Sequence, residues 1–238
     1  MNLLRHLPNA MTCGNLLCGC LGIMQVFRGE LTTASWLILL AAALDFGDGF
    51  VARLVNAQSP IGKELDSLAD CVTFGVLPAF IVYALFPDTA PVWLPYVALF
   101  LAVFSALRLA KFNVDTRQSD SFIGVPTPAN GLVVASFPFI LQNPALADFI
   151  QNSLFLTLYS LLMSYLLVAE LPLFALKFKS FGWAENRIKY IFLLLSVLLL
   201  LFLQFAAVPL VIVLYIVLSI VGKEKGEERR KGGKEERE

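Results

Sequence analysis

Apolar residues run in long blocks along this chain, and polar residues collect in the short breaks between them. The blocks predict helices at about Asn9 to Phe27, Leu31 to Leu54, Gly62 to Phe86, Val92 to Phe112, Pro126 to Leu141, Leu154 to Leu176, Ile188 to Leu203 and Phe205 to Val221. Most reach the roughly 17–25 residues that carry a helix across a ~30 Å hydrocarbon core. None alternates with a period of two, which excludes a β-barrel. The expected fold is therefore an all-α polytopic bundle of about eight transmembrane helices. Pro60 ends the break VNAQSP, residues 113–125 form a polar loop, and Gln204 to Pro209 form a tight break. Proline cannot continue a helix through such points. Residues 1–8 read as a short interfacial lead with Leu3, Leu4 and Leu7 as its apolar side. Residues 1–222 form one membrane domain. Residues 223–238, KEKGEERRKGGKEERE, have no apolar face and read as a disordered or solvated extension.

Composition sharpens this picture. Of the 238 residues, 58% are hydrophobic and the mean hydropathy is +0.76, which excludes an ordinary soluble domain. His6 is the one histidine, so general acid–base work falls to carboxylates. Cys13, Cys18, Cys20 and Cys71 do not have the spacing of a zinc site and read as small hydrophobes. The N-terminal stretch lacks the small-x-small pattern of a cleavable signal peptide, and Asn9, Thr12 and Asn15 interrupt its apolar run.

Net charge is zero, but its distribution gives a topology. Arg5, Arg53, Lys63, Arg108, Lys111, Arg117, Lys177, Lys179, Arg187, Lys189 and the tail all fall at breaks on one side. Of the 18 Lys and Arg residues only Arg28 falls on the other. The positive-inside rule makes the crowded side cytoplasmic, with both termini and the acidic stretch below. No nucleic-acid partner is expected; the tail's balanced charge also argues against an anionic-lipid anchor.

Between Asp45 and Asp70 four aspartates stand at the ends of two apolar blocks. An ionised Asp costs about 2.5–3.5 kcal/mol at mid-bilayer. Asp45 and Asp48 are three apart and Asp66 and Asp70 four apart, so each pair shares a helix face. Two antiparallel helices joined by a short loop would aim four carboxylates at one another. Such a set needs positive charge, and one or two magnesium or manganese ions suit an all-oxygen donor set. Gly49, Ala52 and Gly62 leave room for a ligand against the backbone, and Arg53 suits a phosphate oxygen. The plainer readings are polar contacts between helices, or a cation path. Neither needs Arg53 or the small residues.

The pattern Asp45-x2-Asp48-Gly49-x2-Ala52-Arg53-x8-Gly62-x3-Asp66-x3-Asp70 resembles the full motif of the CDP-alcohol phosphatidyltransferases. Segments 7–15, 65–79, 106–114 and 122–130 are similar to the phosphatidylserine synthase branch of that family. The resemblance covers Pro8 to about Asn130, and more weakly the sixth block. It implies a six-helix core and transfer of a phosphatidyl group from CDP-diacylglycerol to L-serine with release of CMP. It implies that Asp45, Asp48, Asp66 and Asp70 hold Mg2+ or Mn2+, two ions per site, with Asp45 and Asp66 shared between them. Asp70 is the implied proton acceptor, and Gly49, Arg53 and Ser59 hold the CDP part. It also implies a membrane-lipid setting and a homodimer.

Asn9, Thr12 and Asn15, three apart, read either as lining the nucleotide–pyrophosphate pocket or as a cap and interhelical hydrogen bonds. Arg108 and Lys111 read as snorkelling anchors or as a site for the serine carboxylate or a lipid phosphate. Gly124, Pro126 and Pro128 read as a turn and helix start, with a pocket border as the second reading. Glu170 falls inside the sixth block, with its role open. A sibling enzyme acting on glycerol 3-phosphate or inositol phosphate is the alternative within the class. Those anionic acceptors call for a denser basic pocket. A cation transporter is the alternative outside it.

Overall fold

The computed structural model describes residues 3–115, 121–174 and 182–235. A 3-10 turn, Leu3–His6, leads into α1 (Leu7–Phe27), whose first turn holds Pro8, where no backbone donor is missed. Gly29, at φ +79°, turns the chain into α2 (Leu31–Leu54). Then α3 (Pro60–Asp70) starts on Pro60 and is capped by the Ser59 hydroxyl, which accepts from the Gly62 N–H at 3.1 Å. The same helical rod continues through a π-helical turn, Cys71–Val76, into α4 (Leu77–Leu85). After a 3-10 turn at Leu94–Ala98 comes α5 (Leu99–Val114). Then follow α6 (Thr127–Ile140), a short α7 (Pro144–Ile150), α8 (Ser153–Val168), α9 (Trp183–Leu203) and α10 (Ala207–Glu235).

Each apolar block of the sequence meets a helix, and the chain is an all-α polytopic membrane protein. Leu7–Phe27, Pro60–Leu85, Leu94–Val114 and Asn186–Val221 are each long and apolar enough to cross a membrane. The pair α7 and α8, bent by 62°, adds a fifth if counted as one span. At 24 residues α2 is about 36 Å long, also sufficient to cross. The Asn186–Val221 segment is broken where Gln204 takes φ +49°; few of its residues are buried, but Phe192, Ala207 and Tyr215 join the core and the rest leaves much apolar surface exposed. In a membrane that surface faces lipid.

The centre is the π-helical turn. It packs against α1, α5 and α6, and Phe74 within it is fully buried. Close approach depends on glycine on three sides. A Cβ at Gly19 would fall on Thr73 Oγ1, at Gly75 it would meet Ser105 Cβ at 2.8 Å, and at Gly131 it would meet Phe74 at 2.9 Å. Small residues at such crossings let backbones approach where lipid offers no hydrophobic drive to associate.

Two departures from the sequence reading occur near α8. That helix ends at Val168, not near Leu176, because Ala169 goes extended and Pro172 cannot continue it. Beyond it β2 (Pro172–Phe174) pairs antiparallel with β1 (Ser121–Ile123), inside the stretch expected to be plain loop. Glu170 therefore lies outside the helix, in the link to β2. The Tyr215 hydroxyl donates to Phe174 O at 2.8 Å, tying this ribbon to α10. The charged tail, read as a disordered or solvated extension, carries helical backbone to Glu235; no proline follows Pro209 to stop α10. Arg117, Lys177 and Lys179 lie outside the described residues.

Candidate active site

The aspartates come from two helices, and α1 packs against both. Asp45, Asp48 and Asp66 each offer a carboxylate oxygen, and these oxygens all lie within 4.8 Å of one another. Asp48 is buried, while Asp45 and Asp66 are half-buried. Three carboxylates this close repel one another unless a cation lies among them. Oδ1 of Asp66 is buried with no hydrogen-bond partner, a donor atom left for something else. An all-oxygen set with an unfilled buried ligand atom fits a hard divalent cation. The residues present thus fit a metal centre of Asp45, Asp48 and Asp66. Asp70 stands outside this trio, 7% exposed, with its Oδ1 accepting from Asn15 Nδ2 at 3.2 Å.

The wall that the acidic motif alone does not reveal is α1. Thr12 Oγ1 donates to Asp48 Oδ2 at 2.5 Å and also approaches Pro8 O at 3.0 Å. Asn9 and Thr12 line a cavity of about 630 Å³ together with Asp48, Gly49, Ala52, Arg53, Ser59, Gly62 and Asp66. That volume suits a small-molecule or cofactor site. Asn9, Thr12, Gly49, Ala52, Arg53, Ser59 and Gly62 are therefore brought to one cavity. A Cβ at Gly49 would meet nothing within 4 Å, so the glycine faces open space. Arg53 folds back, Nε to Gly49 O at 2.9 Å, and stays exposed at the cavity wall.

Asn15 does not line that cavity. It is fully buried and turned to Asp70, while Thr73 Oγ1 donates to its backbone oxygen at 3.1 Å. Lys63, Gln58 and Ala57 also line the cavity and were not singled out. For Lys63 a signal existed, since it follows Gly62 within the motif. Its ammonium donates to Asn113 O at 3.1 Å, and Asn113 Nδ2 donates to Ser67 Oγ at 2.9 Å, clasping α3 to the end of α5.

Arg108 and Lys111 lie apart from this cavity. They line a second one of about 300 Å³ with Asp115, Ile123, Leu167 and Glu170. Arg108 is 7% exposed; its Nη1 donates to Thr127 Oγ1 at 3.2 Å, and its Nε is buried with no partner. A snorkelling anchor would be solvated, and Arg108 is not. Arg108 also lies within electrostatic range of Asp70. Gly124 takes φ +77°, and a Cβ there would fall on Leu167 O; the residue is a turn that closes against the end of α8.

Comparison with known proteins identifies the family. The sequence pattern described as CDP-alcohol phosphatidyltransferase matches residues 5–176. The chain is 35% identical over 170 residues to the CDP-diacylglycerol–serine O-phosphatidyltransferase of Bacillus subtilis, covering 71% of this chain and 89% of that one. It is 32% identical over 225 residues to the Helicobacter pylori protein of the same name, covering 93% and 92%. A Saccharomyces cerevisiae protein of that name is 35% identical over 167 residues, covering 63% and 59%. The chain belongs to the CDP-alcohol phosphatidyltransferase family.

Proposed function

We propose that the protein transfers the phosphatidyl group of CDP-diacylglycerol to L-serine, forming phosphatidylserine and CMP. The observation that carries this reading is the single cavity where Asn9, Thr12, Gly49, Ala52, Arg53, Ser59 and Gly62 meet two of the trio's carboxylates. The serine acceptor rests on the relatives that bear its name. The cavity holds the nucleotide and pyrophosphate, with Arg53 and Lys63 toward phosphate oxygens and Gly49 admitting the ligand to the backbone. Asp45, Asp48 and Asp66, with Asp70 at the edge, hold two Mg2+ or Mn2+ ions, which when bound offset charge on the pyrophosphate and on departing CMP.

The second cavity receives serine. Arg108 and Lys111 take its carboxylate, and its hydroxyl is directed toward Asp70. The serine oxygen forms a bond to the phosphorus that carries diacylglycerol. The bond from that phosphorus to the bridging oxygen breaks, CMP leaves with that oxygen, and Asp70 takes the hydroxyl proton. Arg108 neutralises the acceptor carboxylate that would otherwise be repelled by the acidic trio. A chain of acids through the membrane would suit cation transport, but these acids gather against one cavity beside α1.

By the placement of basic residues, the protein sits in the cell membrane with this site and both termini on the cytoplasmic side. It crosses about eight times, acts as a homodimer, and leaves residues 223–238 as a solvated extension of its membrane domain. The test is purified protein in detergent with CDP-diacylglycerol, divalent cation and a panel of alcohols, following CMP. Serine-dependent release is expected; release with glycerol 3-phosphate instead would overturn the acceptor. Asp70→Asn should retain CDP-diacylglycerol binding and lose transfer, and full turnover in that variant would remove Asp70 as proton acceptor.

A further inference from the structure

We infer that Asn15 is a positioning residue that holds the Asp70 carboxylate in the orientation needed for transfer, and is not part of the nucleotide pocket. The inference rests on the reading of Asp70 as proton acceptor. The sequence places Asn9, Thr12 and Asn15 on one stripe of α1, and the structure gives each a different task. Asn9 lines the larger cavity, Thr12 binds Asp48, and Asn15 reaches past them to Asp70. One helix thereby braces an acid from α2 and an acid from α3.

Three features make Asn15 suited to that task. Its side-chain amide donates to one oxygen of Asp70, at 3.2 Å, so the second oxygen is set by the planar geometry of the carboxylate. The donor is neutral, so it orients the carboxylate without the strong charge neutralisation that an Arg or Lys would bring. Its backbone is itself fixed, because Thr73 Oγ1 donates to Asn15 O at 3.1 Å and Gly19, one turn on, lets α1 lie directly against Thr73. The brace thus runs from the π-helical turn to the helix that faces it, and back to Asp70, the residue just before that turn.

A purely stabilising role does not fit the same amide. Its Oδ1 is buried with no hydrogen-bond partner, and an unsatisfied buried acceptor costs the fold stability. An apolar side chain would remove that unsatisfied acceptor, at the expense of the bond to the buried Asp70 carboxylate. The position therefore carries a stability penalty at the point where it orients a carboxylate.

The test compares wild type with Asn15→Leu, which keeps the branched shape with somewhat greater volume and removes the donor, and Asn15→Ser, which leaves space and is too short to reach Asp70. Both are purified in detergent with divalent cation. A misplaced reacting group costs on the order of 100-fold, and kcat for serine-dependent CMP release should fall by about that factor. KM for CDP-diacylglycerol should stay within about twofold, as expected when an interaction made only in the transition state is lost. The thermal midpoint of Asn15→Leu should stay within about 4 °C of wild type. In an Asp70→Asn background, Asn15→Leu should cost nothing further, because its effect runs through the carboxylate. Wild-type kcat in both Asn15 variants overturns the inference, as does a loss confined to KM for CDP-diacylglycerol. Should Asn15→Leu fail to fold, Asn15→Ser decides on the same kinetic readouts. If another alcohol replaces serine in the wild-type assay, the acceptor reading fails and the Asn15 comparison is read with that alcohol. Full turnover by Asp70→Asn overturns the premise.

Discussion

Gly49→Ala is expected to make the protein more stable and less active at once. Gly49 lies within α2, and a Cβ built there meets nothing within 4 Å. A glycine inside a helix is less favourable than alanine by roughly 0.5–1 kcal/mol, and no packing clash offsets that gain here. For a chain of this size the thermal midpoint should rise by about 1–4 °C. The open space is the larger cavity, which Gly49 lines beside Asp48 and Arg53. An added methyl intrudes only on what occupies that cavity. One such group is worth about 1–3 kcal/mol in a fitted pocket, so KM for CDP-diacylglycerol should rise about tenfold or more. The two halves are measured on one preparation, by thermal unfolding in detergent without substrate and by CMP release across substrate concentrations. A lower melting point would show that the glycine serves packing. A higher melting point with unchanged KM would show that the cavity is not where the nucleotide lies.

Gly19→Ala should behave in the opposite way. Its Cβ would collide with Thr73 and lie 3.1 Å from Thr73 Cα, which cannot rotate aside, so overpacking should cost about 1–3 kcal/mol in thermal unfolding. Asp66→Asn should lower the affinity for Mn2+, read by calorimetry on the protein alone, by more than tenfold, since it removes a ligand with a buried oxygen otherwise unpartnered. Arg108→Lys should raise KM for serine about tenfold or more while leaving KM for CDP-diacylglycerol unchanged. The flexible ammonium cannot reproduce the guanidinium's fixed fork beside Thr127.

The positions of the helices were legible in the sequence because long apolar blocks admit little else in lipid. So was the larger cavity, since Asp45 to Asp70 supplies most of its wall through residues three and four apart. Less legible was anything that depends on contacts between distant helices. The π-helical turn at Cys71–Val76 leaves no periodic mark; it is fixed by Gly19, Ser105 and Gly131 packing on it from three sides. Asn15 shared a stripe with Asn9 and Thr12, and only the approach of α3 to α1 separates its role from theirs. The sequence grouped Asp70 with the other three acids, whereas the structure sets it at the amide of Asn15. The end of α8 was misplaced because the run through Ala169 is apolar, and apolarity does not distinguish a helix end from a strand.

The ribbon between β1 and β2 has a consequence for the order in which the protein is made. The residues of the larger cavity lie between Pro8 and Asp66, so the nascent chain supplies all of them early. The smaller cavity needs Arg108 and Glu170, and β1 cannot pair until β2 has been synthesised and α6 to α8 have been threaded into the bilayer. Non-local strand pairing of this kind is slow relative to helix formation. A ribosome-bound intermediate would therefore present the larger cavity before the smaller. On the proposed function, such an intermediate takes up the lipid donor during insertion while still unable to pass it on.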